Sequence, residues 1–482
     1  MKKVFLVLIV LVTAIFSFSA EIDTTFLSYA EKAADSISSY RDKASILKLI
    51  AVEYTKAGLT QQALLIFDDA LNVAESISND FSKASALRDI AVELAKAGQF
   101  DKAVNAAESI SRDSDKAYAL RDIAVKLAKA GQFDKAVNAA ESISRDSDKA
   151  WALRDIAVEL DKAGQTQKAL QIFDDAVNAA GSISDDSSKA SALSNIASEM
   201  AKVGQTQQAL KIFNDAVNAA GSISRDSDKA WALRDIAVEL AKSGQTQKAL
   251  QIFNDAVNAA GSISKNSDKA YALRDIAVEL AKSGQTQKAL QIFDDAVNVA
   301  GSISKDSDKA LALSSIASEL AKAGQFDKAA NVAGSISGNS AKAWALGRIA
   351  SELAKAGQFD KAANVAGSIS DDYDKAWALR DIAVELAKAR QFDKAVNVAM
   401  SFSSYSDKAW ALKEIAVELA KAGQFDKALN VAGYISYDFY KAEALIDIAS
   451  ELAKAGQFDK AVDVAGSISN DYFKAEALID IA

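Results

Sequence analysis

With 482 residues, half of them apolar and a quarter charged, the chain has ample material for a packed interior and no compositional mark of disorder. Its 56 Lys and Arg against 65 Asp and Glu leave a net charge of −9, so no basic excess is available to neutralise nucleic-acid phosphates. Cysteine, histidine and proline are absent, which excludes disulfides, Cys/His zinc sites, thiol nucleophiles and Ser-His-Asp triads and leaves carboxylate, hydroxyl and lysine chemistry.

At the amino end, Lys2 and Lys3 precede an apolar run from Val4 to Phe16 and then the short stretch Ser17, Phe18, Ser19, Ala20. This reads as a bacterial secretory signal. Cleavage after Ser19 places Ser17 and Ser19 at the small-residue positions; cleavage after Ala20 leaves bulky Phe18 at minus three. The run is shorter than the roughly 20 residues a membrane span needs, and no later run approaches that length, so the expectation is export to the periplasm or beyond with no span after cleavage.

The rest is one unit repeated. A Lys-Ala dipeptide recurs at Lys43, Lys83, Lys116, Lys149, Lys189, Lys229, Lys269, Lys309, Lys342, Lys375, Lys408, Lys441 and Lys474, at spacings of 40 or 33 residues only. The expected organisation is a signal at 1–19, a partial repeat at 20–42, twelve repeats over 43–473 and an incomplete one at 474–482. A fixed period without linkers is the signature of a solenoid.

Within a unit, Leu87, Ile90, Ala91 and Leu94 fall at i, i+3, i+4 and i+7, one stripe of an amphipathic helix, here helix A. Gly98 ends it, and a second helix, B, follows. Helix B is short in the 33-residue units (from Gln99) and long in the 40-residue units (from Gln165). Seven added residues rotate a helix by about 20° short of two full turns, so the insertion lengthens B without turning its apolar face away. Loops such as SRDSD before Lys116 are expected to cap the next helix and to supply negative charge to its first turn.

The run Leu87, Ile90, Ala91, Leu94, Gly98, Phe100, Ala103 resembles the tetratricopeptide repeat pattern, and in the long units Ala169, Phe173 and Ala176 extend the match, as does Tyr54 in the first. The family's terminal proline and helix A tryptophan are missing here. The resemblance implies an all-α, right-handed superhelical solenoid of stacked hairpins whose A helices line a concave protein-binding or peptide-binding groove.

Chemistry candidates are weak. Asp113 and Asp115 lack the glycine and distal glutamate of a calcium loop, and carboxylate pairs such as Asp89 and Glu93 recur in most units, whereas a catalytic site is one asymmetric place. No enzyme activity, cofactor or metal is expected. The informative slot lies two residues after the starting lysine. It holds all five tryptophans, Trp151, Trp231, Trp344, Trp377 and Trp410, together with Tyr118 and Tyr271. At 100° per residue these rings point away from their own hairpin's core, on a ridge shared with Arg121, Arg154, Arg234, Arg274 and Arg380. Two readings stand: an exposed ligand-facing stripe, or sideways packing between units. The first makes the chain an exported scaffold for a protein or peptide partner in the cell envelope, or alternatively a glycan binder using the same rings. At the other end, Leu478 and Ile481 stand in a helix A without its following helix, which predicts docking on another chain or a sequence that continues.

Overall fold

The computed structural model describes residues 24–481; the signal expected at 1–19 lies outside them. Among the described residues all regular structure is α-helical, twenty-six helices running from Thr24–Asp35 to Asp471–Ile481. The complete repeats are helical hairpins. Every complete A helix has 17 residues, as in Asp113–Lys129, while B helices have 9 residues in the short units, as in Phe100–Glu108, and 16 or 17 in the long ones, as in Thr166–Gly181. The added length is therefore continuous helix, and Ala169, Phe173, Ala176 and Ala180 remain on its buried side.

Burial follows the predicted stripe. Leu120, Ile123, Ala124 and Leu127 are completely buried, as are the long-helix aromatics Phe67, Phe173, Phe253 and Phe293. The hairpin turn is set by glycine at positive φ: Gly131 has φ +75°, its N–H donates to Ala128 O at 2.9 Å and the Gln132 N–H donates to Leu127 O at 2.9 Å. These two bonds are the Schellman arrangement that satisfies carbonyls at a helix end.

The capping expectation changes in the SRDSD loops. There Arg112, Arg145 and Arg225 occupy the N-cap, and none of these side chains caps, because a guanidinium has no acceptor to offer the first-turn amides. Ser39, Asn79, Asp185, Asp371 and Ser404 do cap their helices. The aspartates of the SRDSD loops do stand in the first helical turn, as expected, and two of them also reach the neighbouring repeat: Asp115 and Asp148 are each 8% exposed and receive Arg88 and Arg121 from the preceding A helix, at 3.0 and 3.2 Å. Both are clips between repeats.

The chain divides into two compact units, Met1–Ala256 and Val257–Ala482. In the first, the A helices Tyr40–Lys56, Asp80–Lys96, Asp113–Lys129, Asp146–Lys162, Asp186–Lys202 and Asp226–Lys242 pack each on the next. In the second, the A helices from Asn266–Lys282 to Asp438–Lys454 do the same, and the last packs on Asp471–Ile481. Leu478 in that final helix is 40% exposed. No described helix is long and apolar enough to cross a membrane.

Candidate functional site

In the repeats from Lys116, Lys375 and Lys408 the ring slot lies on the side of the A helix that meets the preceding A helix. Trp377 stands over Gly347, where an added Cβ would come within 3.5 Å of the indole, and Ser351, one turn further along, donates its hydroxyl to Asp381 at 2.7 Å. The guanidinium of Arg348 lies over the Trp377 ring at 5.5 Å, and that of Arg380 over Trp410 at 4.3 Å. Successive units thus share a register in which the ring of one repeat lies on the ridge of the repeat before it.

Arginine from the same helix, three residues on, covers the rings as well. Arg121 is 4.6 Å from the Tyr118 centroid, Arg154 4.2 Å from Trp151 and Arg274 4.9 Å from Tyr271. With Arg88 at 5.6 Å from it, Tyr118 contacts two guanidinium groups. The rings remain partly open to solvent: Tyr118 is 45%, Trp231 42% and Trp344 44% exposed, while Trp151, Tyr271, Trp377 and Trp410 are half-buried. The rings thus combine contact with a neighbouring repeat or arginine and a partly exposed edge.

The arginines are held by carboxylates as well as rings. Arg121 pairs with Asp148, Arg154 with Asp155, Arg234 with Asp235 at 2.7 Å, and Arg274 with Asp275 and the Ser315 hydroxyl. Arg380 Nε is buried without a hydrogen-bond partner, above Trp410. These contacts fix the guanidinium planes and leave little conformational entropy to lose when a further group binds.

In the first unit the structure brings Arg121, Trp151 and Arg154 to one cleft of about 650 Å³, completed by Val92, Lys96, Asp122, Val125, Lys126, Lys129 and Asp155. Sequence reasoning missed Lys126. Ten residues after each starting lysine every other complete repeat has glutamate, which bonds the lysine three residues later, as Glu93 bonds Lys96 at 2.7 Å and Glu159 bonds Lys162 at 2.8 Å. Lys126 breaks that ladder and places a second cation beside Lys129. Aligning the repeats and reading the exception rather than the consensus would have found it. Burial raises the Asp122 carboxyl above its ordinary range, against the lowering pull of Arg121, Lys126, Lys96 and Arg88. The lining sets five cations, Lys96, Arg121, Lys126, Lys129 and Arg154, against the carboxylates of Asp122 and Asp155, and that excess favours an incoming anion.

The carboxylate pairs do not form a catalytic arrangement: Asp89 receives Arg88 and Glu93 receives Lys96. Among the described residues no group of three acidic side chains is placed to hold a metal ion.

Residues 188–262 match the tetratricopeptide repeat family. Among solved structures, the chain is similar to the crystal structure of Ton1535 from Thermococcus onnurineus NA1, at 22% identity over 74% of this chain and 97% of that one, with a TM-score of 0.33. It is also similar to a Podosopora anserina putative kinesin light chain with nearly identical TPR-like repeats (16% identity, 38% and 93% covered, TM-score 0.26) and to yeast Tom70 (12%, 91% and 95%, 0.29). No curated protein matches. The matched segment spans the repeats from Lys189 and Lys229, and its buried stripe recurs in register in the other described repeats, with Arg390 standing in for the turn glycine in the repeat from Lys375; the fold is an all-α solenoid of tetratricopeptide-like hairpins.

Proposed function

We propose that this tetratricopeptide-like chain is an exported scaffold, without catalytic chemistry, that holds a protein or peptide segment against the arginine and aromatic ridge of its A helices. The observation that carries the reading is a partly exposed ring with a guanidinium on it at the same slot of the repeats from Lys116, Lys149, Lys269, Lys375 and Lys408. Such a pair offers apolar edge and directed N–H donors together, the combination that dominates protein interfaces. It favours a peptide over a glycan: sugar stacking needs open ring faces, and the faces of Tyr118, Trp151, Tyr271 and Trp410 carry guanidinium groups. The acidic side chains of the segment would occupy the Lys126 cleft.

Export rests on the charged start, apolar run and small-residue site at the amino end. The mature protein should begin at Ala20 or Glu21, and terminal sequencing of the cell-envelope or secreted form checks this; an intact Met1 on protein from the cytosol would refute export.

The ridge is tested by Lys126→Glu in the mature chain, used as bait on cell-envelope extract. That substitution restores the Glu-Lys pairing of the other repeats and should raise stability slightly, by about 0.3 kcal/mol, while partner capture falls. Tyr118→Ser, Trp231→Ser and Trp344→Ser combined should abolish capture with helicity intact, since Ser85 and Ser191 occupy this slot natively. Unchanged capture by both variants would sink the reading.

A further inference from the structure

The loops that lead into the A helices change character along the chain. Before Lys116, Lys149, Lys229, Lys269 and Lys309 they carry Arg112, Arg145, Arg225, Lys265 and Lys305 four residues ahead of the starting lysine, with serine two residues ahead of it. Before Lys375, Lys408, Lys441 and Lys474 they read DDYD, SYSD, YDFY and NDYF, without a cation. The rings are well exposed: Tyr373 is 80% and Tyr405 78% open to solvent. Phe439 and Tyr440 make edge contact at 5.4 Å, and Phe439 meets Phe473 of the next loop at 5.7 Å, so the surface continues across repeats.

One earlier loop shows what such a ring accepts. Phe81 stands two residues before Lys83, the position of Tyr373 and Phe439 in their repeats, and the guanidinium of Arg112, from the next loop, lies over it at 4.7 Å. Arg112 follows Phe81 by one fixed interval; the same interval from Tyr373 reaches Ser404, and from Phe439 it reaches Asn470. The late rings thus keep the aromatic half of the contact and lack its arginine. Carboxylates accompany them: Asp371 caps its helix by accepting the Asp374 N–H at 3.0 Å, and exposed Asp372 and Asp438 flank Tyr373 and Phe439.

We infer that the loops before Lys375 and Lys441 form a second docking edge, separate from the A-helix ridge, for an arginine-bearing segment of another protein. Each guanidinium stacks on a ring as Arg112 does on Phe81 and donates to the adjoining aspartate. Arginine rather than lysine fits because a planar cation can stack and bond a carboxylate at once. The carboxylates disfavour an anionic lipid surface.

The test is fluorescence anisotropy of a labelled peptide of alternating arginine and serine, titrated with the mature chain. Binding should exceed that of the lysine-serine counterpart. Tyr373→Ser with Phe439→Ser, serine being native two residues ahead of the starting lysine in most repeats, should weaken it about tenfold with helicity retained. Ser404→Arg, which gives Tyr373 a guanidinium from its own chain, should weaken it too. The Tyr118, Trp231 and Trp344 serine variant should bind the peptide as the parent does, which separates this edge from the ridge. Equal binding of the arginine and lysine peptides, or of parent and Tyr373/Phe439 variant, would overturn the proposal. So would a parent dimer dissociated by those substitutions with peptide binding unchanged, because the occupant would then be a second copy.

Discussion

Tyr54 carries the largest proton-linked effect at the level of a single residue. It is 5% exposed, and burial, followed by a hydrogen bond to Glu31 and that residue's charge, pushes its phenol from the ordinary 10.0 up to about 12. The folded chain therefore holds this proton more tightly than the unfolded one. Its contribution is fully present below about pH 10 and is lost as pH rises from there through about 12. Tyr54→Phe should cost about 1 kcal/mol at neutral pH, the worth of one hydrogen bond, and should flatten the loss of stability between pH 10 and 12. Denaturant melts of both proteins across that range check it; parallel curves would remove Tyr54 from the alkaline transition. Trp377 illustrates a different residue-level rule. Its indole fills the space over Gly347, so Trp377→Ser should lower the melting temperature more than Trp344→Ser, whose ring is 44% exposed.

At the level of the element, the hairpin turn is the position at which one residue decides the geometry. Eleven turns use glycine at φ between +74° and +86°, and the twelfth uses Arg390 at φ +60°. No atom lies within 4 Å of a Cβ added at the turn glycines, so the preference comes from backbone conformation and not from lack of room. Arg390→Gly should stabilise the protein by about 0.5 to 1 kcal/mol, and Gly423→Arg should cost at least as much; thermal melts that move the other way would show that the Arg390 side chain makes a compensating contact. These turns, the buried stripe and both helix lengths were legible in the sequence because they depend on neighbours within one hairpin. The partner of the ring slot was not, since the surface beneath Trp377 is supplied by Gly347 of another repeat. A helical wheel drawn on one hairpin correctly directs the ring away from its own core and stops there. The cap positions failed for a related reason: Asp115 satisfies Arg88 of the previous A helix rather than the amides beside it. Lys126 and the tyrosines of the late loops were in plain view, as departures from a consensus.

For the whole molecule, stability is a sum over neighbours. Within each of the two compact units the A helices pack on their neighbours in sequence, and the clips described, Arg88 to Asp115, Arg121 to Asp148 and Ser351 to Asp381, all reach one repeat onward. Nearest-neighbour architecture has a direct consequence: a complete repeat can leave without disturbing the interfaces that remain, whereas half a repeat cannot. Excising residues 342–374 joins Ala341 to Lys375 and brings Trp377 to the register of Trp344, against the A helix that carries buried Ser314 and Ser318, small residues at the positions now held by Gly347, beneath Trp377, and Ser351, bonded to Asp381. The shortened chain should keep its helicity per residue by circular dichroism and melt cooperatively within a few degrees of the parent. Excising only 342–357, an A helix and its turn, removes the partner of the helix Phe359–Gly367, exposes Ala362, Ala366 and Ile369, and should cost far more. If the full-repeat excision lost helicity as the half-repeat excision does, the interfaces on either side would have to depend on contacts beyond the nearest neighbour, and the additive account of this solenoid would fail.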